Sequence, residues 1–405
     1  MMATESPHAP ARRARYTAAV CDLCGPAAAT LPLGMREVPV RQRRTLFHWR
    51  ISDAVCAHCG LARAAEVPDD DFLAGYYAEA HTPRSTVVDI GDGFDAEARL
   101  ATLRRFAPGR DVLEFGAGHG GFCRFLEKAG FRARGIDPVQ AADRRVVTDP
   151  ASTNLADVTA DAVVAYHALE HLPRPGLWLR NARKWIRPEG TILLEVPDVV
   201  LWPFDAWHHE HMVQFSPEHL AALAEAEGYI TLSLAEERPS RPHGFVYVGR
   251  WSGAPNRDRH ARLKIQAHAL VARTQGLYGR LAEIDRRQRV CAEDVARRVV
   301  AAQAGKPTGE VVCWGANEIA TMVGRALEGR NAWPVRIFDS ADTKVGGAHP
   351  GFENAVERPK LDSDDTNRHI FVLCTRNYNG AIAATIRTTL GSKTAIVEVE
   401  QWPHR

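Results

Sequence analysis

Four consecutive positions, His208-His209-Glu210-His211, place three imidazoles and a carboxylate inside the stretch FDAWHHEHMVQFS at 204–216. Side chains of these types can bind a metal, move protons, or decorate a solvated turn. Adjacent histidines on an extended loop point in different directions, so a metal held by His208, His209 and His211 is the weakest of the three readings. A purely structural cluster stays open, because a histidine often does no more than satisfy a buried hydrogen bond. Four cysteines form a second chemical set. Cys21-Asp-Leu-Cys24-Gly and Cys56-Ala-His-Cys59-Gly are two Cys-x-x-Cys-Gly knuckles, in which the glycine lets the chain turn so that both thiolates of a pair face one point. Four thiolates around one point make a closed tetrahedral Zn²⁺ site with no position left for substrate, which is a structural role.

A third set is the run DVLEFGAGHGGFCRFLEKAGFRARGIDP at 111–138. Val112 to Phe115 read as an apolar strand, Gly116, Gly118 and Gly120 as a tight turn, and Phe122, Phe125, Leu126 and Ala129 recur at helical spacing. The second strand, at 133–137, ends on Asp137, placed where an acid accepts the hydroxyl pair of a ribose. Such turns hold either NAD or S-adenosylmethionine (SAM). The order Glu-Phe-Gly-Ala-Gly-His-Gly, with Glu114 two residues before the first glycine, resembles motif I of class I SAM-dependent methyltransferases rather than the dinucleotide pattern Gly-x-Gly-x-x-Gly. DAVVAYHALEHL at 161–172 and RKWIRPEGTILLEVPD at 183–198 follow in the order of that fold's fourth and fifth strands.

These sets need a scaffold of more than one domain. A chain of 405 residues, 45% hydrophobic and 25% charged, has ordinary globular composition and the length of two or three domains. A net charge of +2 argues against a nucleic-acid polymer or a membrane surface as partner. The polar start MMATESPHAPARRARY reads as a disordered tail, and no apolar run reaches the ~20 residues of a membrane span, so a soluble, cytoplasmic protein is expected. The segment DDDFLAGYYAEAH at 69–81 closes the knuckle domain, and its Tyr76-Tyr77 pair reads as packing against the next one. The histidine run follows the strand at 191–198, at the edge where a doubly wound sheet keeps its active site. It precedes a helix with Ser216 as N-cap and Pro217 at its first position. Residues 257–303 read as a pair of solvated amphipathic helices, and a second strand–helix series starts at EVVCWGANEIATMVGRAL, 310–327. Its turn, Trp314-Gly315-Ala316-Asn317, lacks the full dinucleotide pattern, so no separate cofactor is expected there. The expected fold is α/β: a tail and zinc-binding domain over 1–84, a SAM-binding Rossmann-like domain over 85–252, and a helical linker with a C-terminal Rossmann-like domain over 253–405.

Taken together, the knuckles, EFGAGHG, LEHL at 169–172, EVP at 195–197, HEH at 209–211, GANEIATMVGRAL at 315–327 and FDSADTKVGGAHPG at 338–351 resemble the nucleotide-sugar C-methyltransferases that build branched deoxysugars of antibiotics. The resemblance spans about residues 18–400. It implies a dTDP-linked 4-keto sugar deprotonated at C3, whose enolate takes the SAM methyl group. By position it makes His211 the general base with Glu210 beside it, and turns His171 and one of Tyr76 and Tyr77 toward substrate or cofactor. His208 stands where that family usually has tyrosine. It also lets Lys344 and Asn377 reach phosphate or sugar. The chemistry agrees, since a C–H alpha to a ketone is weakly acidic and needs a base of pKa near 7 and a donor for the enolate oxygen. The expected sites are therefore His211, Glu210, His171 and His208 for catalysis, Glu114, Gly116, Gly118, Gly120, Asp137 and Tyr76 for SAM, and Cys21, Cys24, Cys56 and Cys59 for structural zinc. A small nucleotide sugar is the expected partner, and the protein a monomer or homodimer. The alternative is O- or N-methylation of a different small natural product.

Overall fold

A computed structural model describes residues 11–42, 45–80, 96–137, 146–147, 159–201, 206, 208–235, 244–304, 310–328, 330, 336–341, 344–345, 356–361, 369–375, 378–399 and 402. The tail through residue 10, the segment 81–95 and Asn377 lie outside the described residues. The chain divides into two compact units, one formed by 13–38 and 49–279, the other by 1–12, 39–48 and 280–405.

The N-terminal elements are β1 (Ala11–Arg13), β2 (Tyr16–Ala18), β3 (Thr30–Gln42), β4 (Thr45–Cys56), β5 (Ala62–Ala64), β6 (Glu66–Pro68) and α1 (Asp70–Ala80). The two knuckles sit where the chain enters and leaves this meander: Gly25 and Gly60 both have φ near +80°, 79° and 78°, the left-handed turn that glycine adopts without steric cost. Asp69 accepts the N–H of Phe72 at 2.9 Å and starts α1, the helix that carries Tyr76 and Tyr77.

Next come α2 (Ala96–Phe106), β7 (Asp111–Phe115), α3 (Gly121–Lys128), β8 (Arg132–Ile136), β9 (Val146–Val147), β10 (Ala160–Tyr166), α4 (Pro175–Ala182), β11 (Ile186–Pro197), β12 (Val213–Gln214), α5 (Pro217–Ala226), β13 (Tyr229–Ala235) and β14 (Gly244–Trp251). Seven of these strands form one sheet in the order β13-β14-β11-β10-β7-β8-β9. The β7–β11 members run parallel and β14 antiparallel. Val112, Val164, Leu193, Val246 and Val248 fill one face against Leu100, Leu103 and Leu126 of the covering helices. Central strands buried on both faces read as near-continuous apolar runs, which is why VLEF and AVVAY were recognisable as strands. The order of strands reverses between β7 and β10, and such a switch point opens a crevice at the carboxyl ends of the strands.

The strand β12 is the exception. It leaves the large sheet and pairs antiparallel with β5, Val213 opposite Arg63 and Gln214 opposite Ala62. The residues just after the histidine run are thereby stitched into the knuckle-bearing sheet. Ser216 is extended before α5, as a cap should be, but its hydroxyl bonds to His219 Nδ1 at 2.7 Å instead of a helix N–H.

Two helices follow, α6 (Asp258–Ile265) and the 38-residue α7 (Ala267–Ala304), matching the pair read from the sequence. The other unit holds β15 (Glu310–Trp314), α8 (Glu318–Glu328), β16 (Arg336–Phe338), β17 (His369–Leu373), α9 (Asn379–Leu390) and β18 (Ala395–Glu398). Its four strands are parallel in the order β16-β15-β17-β18, with Val311, Cys313, Ile370 and Val372 packed against Val295 and Val299 of α7.

Candidate active site and cysteine cluster

The glycine turn links β7 to α3 as expected. Gly116, Gly118 and Gly120 all have positive φ, and the backbone N–H of Gly118 donates to Asp137 Oδ2 at 2.7 Å. Asp137, buried at the end of β8, therefore anchors the turn from the neighbouring strand. The glycines differ in what surrounds them. A Cβ on Gly116 would lie 2.6 Å from Ala168 Cβ, whereas nothing lies within 4 Å of one on Gly118. The open side of the turn is thus at Gly118, where the backbone could be approached by the methionine part of SAM, and the closed side at Gly116 is occupied by the protein itself. Glu114 is buried and accepts the Cys123 thiol of α3 at 3.2 Å; burial pushes its carboxyl up to about 7. It braces the turn from within the core.

The histidine run meets residues from three other elements. Tyr76 of α1, fully buried, donates its hydroxyl to Glu210 Oε1 at 2.5 Å and lies 2.9 Å from His209 Nε2. Trp49 packs edge-on against both Tyr76 and His209, with centroids 5.1 and 5.2 Å apart. This places the Tyr76 hydroxyl on the carboxylate of the histidine run, whereas the sequence reading assigns the residue to SAM binding. Its neighbour Tyr77 has its hydroxyl 3.4 Å from His171 Nδ1, and burial followed by the charges of Glu210, Glu170 and Asp137 pushes its phenol up. His171 Nδ1 also lies 3.5 Å from Glu210 Oε2.

The imidazoles are packed ring on ring. His171 meets His211 edge-on at 4.7 Å, and His208 stacks on His211 at 4.2 Å. Ligating atoms of Glu170, His171 and His211 all fall within 4.8 Å of one another, so the trio that converges is not His208, His209 and His211. Burial lowers His209 to about 4 and, with His211 beside it, His208 to about 3. Burial would raise Glu210, but His209, His171, His208 and the Tyr76 hydroxyl hold it down as a carboxylate.

Backbone bonds fix these side chains. Met212 N–H donates to Glu170 O at 2.7 Å, and Ala64 N–H donates to Met212 O at 2.8 Å. The histidine run is therefore clamped between the 169–171 turn after β10 and the β5 edge of the N-terminal sheet. The residue that sequence reading missed is His167, the first after β10. It has φ of 53° and sits between Glu170 Oε1, 3.3 Å from Nδ1, and Glu195 Oε1, 3.2 Å from Nε2. Its place three residues before Glu170 was the available signal.

The four knuckle cysteines converge. Their sulfurs lie within 4.8 Å of one another, and Cys21 and Cys59 are 3.8 Å apart. A tetrahedron with metal–sulfur bonds of ~2.3 Å has an edge of about 3.8 Å, so this donor set fits a four-thiolate metal. Hydrogen bonding with Cys21 holds the Cys56 thiol well down and pushes Cys24 and Cys59 up. His260 Nε2 lies 3.3 Å from Cys24 Sγ, and His219 Nε2 lies 2.9 Å from Cys59 O. Asp22, between the first two cysteines, accepts the Gly176 N–H of α4 at 2.7 Å. The cluster thus ties α4, α5 and α6 to the knuckles.

In the C-terminal unit, Ala316 N–H donates to Asp339 Oδ2 at 2.8 Å, a likeness of the Gly118–Asp137 bond. Lys344, read from sequence as reaching a ligand, has its ammonium 3.0 Å from the same Asp339 oxygen, so its charge is engaged within the protein.

A methyltransferase-domain family matches residues 94–234, the span from just before α2 to β13. No curated protein matches the chain. Solved structures similar to it include the 1,6-didemethyltoxoflavin-N1-methyltransferase of Burkholderia thailandensis, at 18% identity and TM-score 0.35 over 47% of this chain and 95% of that one. The magnesium protoporphyrin IX methyltransferase of Synechocystis gives 14% and 0.34 over 45% and 100%. The CcbJ methyltransferase of Streptomyces caelestis gives 17% and 0.32 over 44% and 96%. The domain match and the glycine turn on a seven-stranded sheet define a class I methyltransferase domain. The chain thus carries a methyltransferase domain over residues 94–234. No helix among the described residues is long and apolar enough to cross a membrane.

Proposed function

We propose that this methyltransferase methylates carbon: the acceptor is a nucleotide-linked keto-deoxysugar, activated by removal of the proton at C3, alpha to its ketone. One observation carries the reading. Past the carboxyl ends of β10 and β11, His211 packs against His171 beside the buried carboxylate of Glu170 and the half-buried one of Glu210, which is proton-handling machinery that simple transfer to an already nucleophilic oxygen or nitrogen does not require.

SAM, when bound, supplies an electrophilic methyl group. Asp137 would accept the ribose hydroxyls, and Gly118 would leave room for the methionine part. His211 takes the C3 proton as the C–H electron pair moves into the C3–C4 bond and the ketone oxygen becomes an enolate. Tyr77 and His171 stand next to this base and supply donors for that oxygen. Glu170, whose carboxylate converges on His211, stabilises the developing imidazolium, and Glu210, held by Tyr76, lies beside His171. The cysteine cluster holds Zn²⁺ in a structural role. A cytoplasmic enzyme acting alone or as a homodimer on a small nucleotide sugar, without nucleic acid or membrane, completes the proposal.

The test is to incubate dTDP-4-keto sugars with the enzyme and SAM and to record product masses and carbon NMR spectra. A gain of one methyl on carbon supports the reading. Methyl transfer to oxygen or nitrogen of another acceptor, with every keto sugar left unchanged, overturns it.

A further inference from the structure

We infer that His167 is a positioning residue of this enzyme: an imidazolium bridge between Glu195 and Glu170 that fixes the charge facing His211. The inference rests on the assignment of His211 as the base, and it begins with the backbone. Among the described residues only His167 and Glu189 combine a side chain with positive φ. Glu189 lies in the exposed turn within the β11 segment, where such a conformation is unremarkable. His167 lies on the carboxyl edge of the sheet, beside the glycine turn, and a left-handed histidine there persists only if its surroundings hold it.

They hold it at three points. The His167 N–H donates to Glu195 O at 2.8 Å. One ring nitrogen lies 3.2 Å from Glu195 Oε1 and the other 3.3 Å from Glu170 Oε1. Arg99 of α2 occupies the remaining Glu195 oxygen at 3.1 Å. Both carboxylates are 1% exposed, and two buried carboxylates without compensating cations would be costly. With Nε2 hydrogen-bonded to Glu195 Oε1 and Nδ1 at ion-pair distance from Glu170 Oε1, the ring offers hydrogen and charge to both carboxylates only in its protonated form. Burial alone would lower His167, but Glu170 and Glu195 outweigh it and raise its pKa, in agreement with that geometry.

The bridge reaches the base through Glu170. This carboxylate faces His167 on one side and lies within 4.8 Å of ring nitrogens of His171 and His211 on the other. Its carbonyl accepts the N–H of Met212, next to His211. Ala168, adjoining His167, is the residue against which the Gly116 backbone is closed, so the same short turn abuts the cofactor loop. The other charged or titratable groups that face His211 and its partners are His208, His209 and Glu210 of its own loop and Tyr76 and Tyr77 of α1.

The sign of the effect follows. His167 in its charged form partly neutralises Glu170 and so limits how strongly that carboxylate stabilises a proton on His211. Replacing it with Asn, which tolerates left-handed φ and keeps a neutral donor, leaves Glu170 more negative toward His211. The His211 pKa should then rise by about one unit, and the base should be protonated and inactive over a wider range.

The experiment is an NMR pH titration of the enzyme labelled with ¹³C in its imidazoles, as wild type, His167→Asn and His167→Gly, without acceptor. We expect His167 to stay protonated through pH 7 in the wild type, and His211 to titrate about one unit higher in both variants. An unmoved His211, or a neutral His167 at pH 7, overturns the inference. SAM calorimetry on each variant checks folding, and His167→Gly removes the backbone strain so that one variant remains readable. Because no acceptor is used, failure of the keto-sugar reading leaves this outcome intact, and the reverse also holds.

Discussion

The hydroxyl of Tyr76 and the carboxylate of Glu210, 134 positions apart in the chain, share a 2.5 Å hydrogen bond at the bottom of the histidine cluster. A donor to a charged acceptor in a buried setting contributes ~1.5–3 kcal/mol, so Tyr76→Phe should cost about 10–100-fold in turnover. The SAM dissociation constant should stay within about twofold, since the geometry ties Tyr76 to the histidine run. Calorimetry with SAM alongside steady-state rates separates the two, and a loss of SAM affinity equal to the loss of rate would return Tyr76 to the cofactor.

The two glycines of the cofactor turn should fail in different ways. Gly118→Leu places a side chain into open space on the approach side and should abolish SAM binding while the protein still folds, at a cost from its φ of +53°. Gly116→Leu collides with Ala168 and should instead lower the melting temperature by several degrees. Thermal melts paired with SAM titrations check this, and identical behaviour of the two variants would contradict it.

Removal of metal should act on the fold. Asp22, His219 and His260 connect the cysteine cluster to α4, α5 and α6, so chelation or Cys56→Ser should loosen that side of the methyltransferase sheet. Elemental analysis should find about one zinc per chain. A strong thiol-reactive chelator should lower the melting temperature and release that zinc in step, and a metal-free protein with an unchanged melt would show the cluster to be an all-thiol packing site.

What could be read from the sequence was local. EFGAGHG announces its turn because three glycines follow an apolar strand directly, and each knuckle carries its own glycine. Asp137 needed only one strand-helix-strand unit to be placed. What was not legible depends on which groups folding brings to each side chain. Tyr76 lay next to Tyr77 in sequence, yet their hydroxyls face different groups, Glu210 and His171, and helical spacing alone gives no means of sorting them. Lys344 looked available until β16 brought Asp339 beside it. No periodicity signals that Val213 and Gln214 leave the central sheet to pair with β5, since two residues carry no pattern. His167 was passed over because its meaning lies in a backbone angle and two carboxylates from different elements, Glu170 of the 169–171 turn and Glu195 of β11.

The last expectation concerns His211. Its ring sits between His208 and His171, which leaves it little rotational freedom, and the Met212–Glu170 and Ala64–Met212 backbone bonds fix the chain beside it. A positioned base contributes ~10²–10⁴-fold, so on the proposed mechanism His211→Ala or His211→Asn should lose about that much turnover with SAM affinity nearly intact. Exchange of the acceptor's C3 proton with deuterated water, measured with S-adenosylhomocysteine in place of SAM, should slow by a similar factor, because that step precedes methyl transfer. His208→Phe preserves the stacked face and should retain most of the activity. Should His211→Ala exchange and methylate at the wild-type rate, the proton is removed elsewhere, and His171, 4.7 Å away ring to ring, is the residue to substitute next.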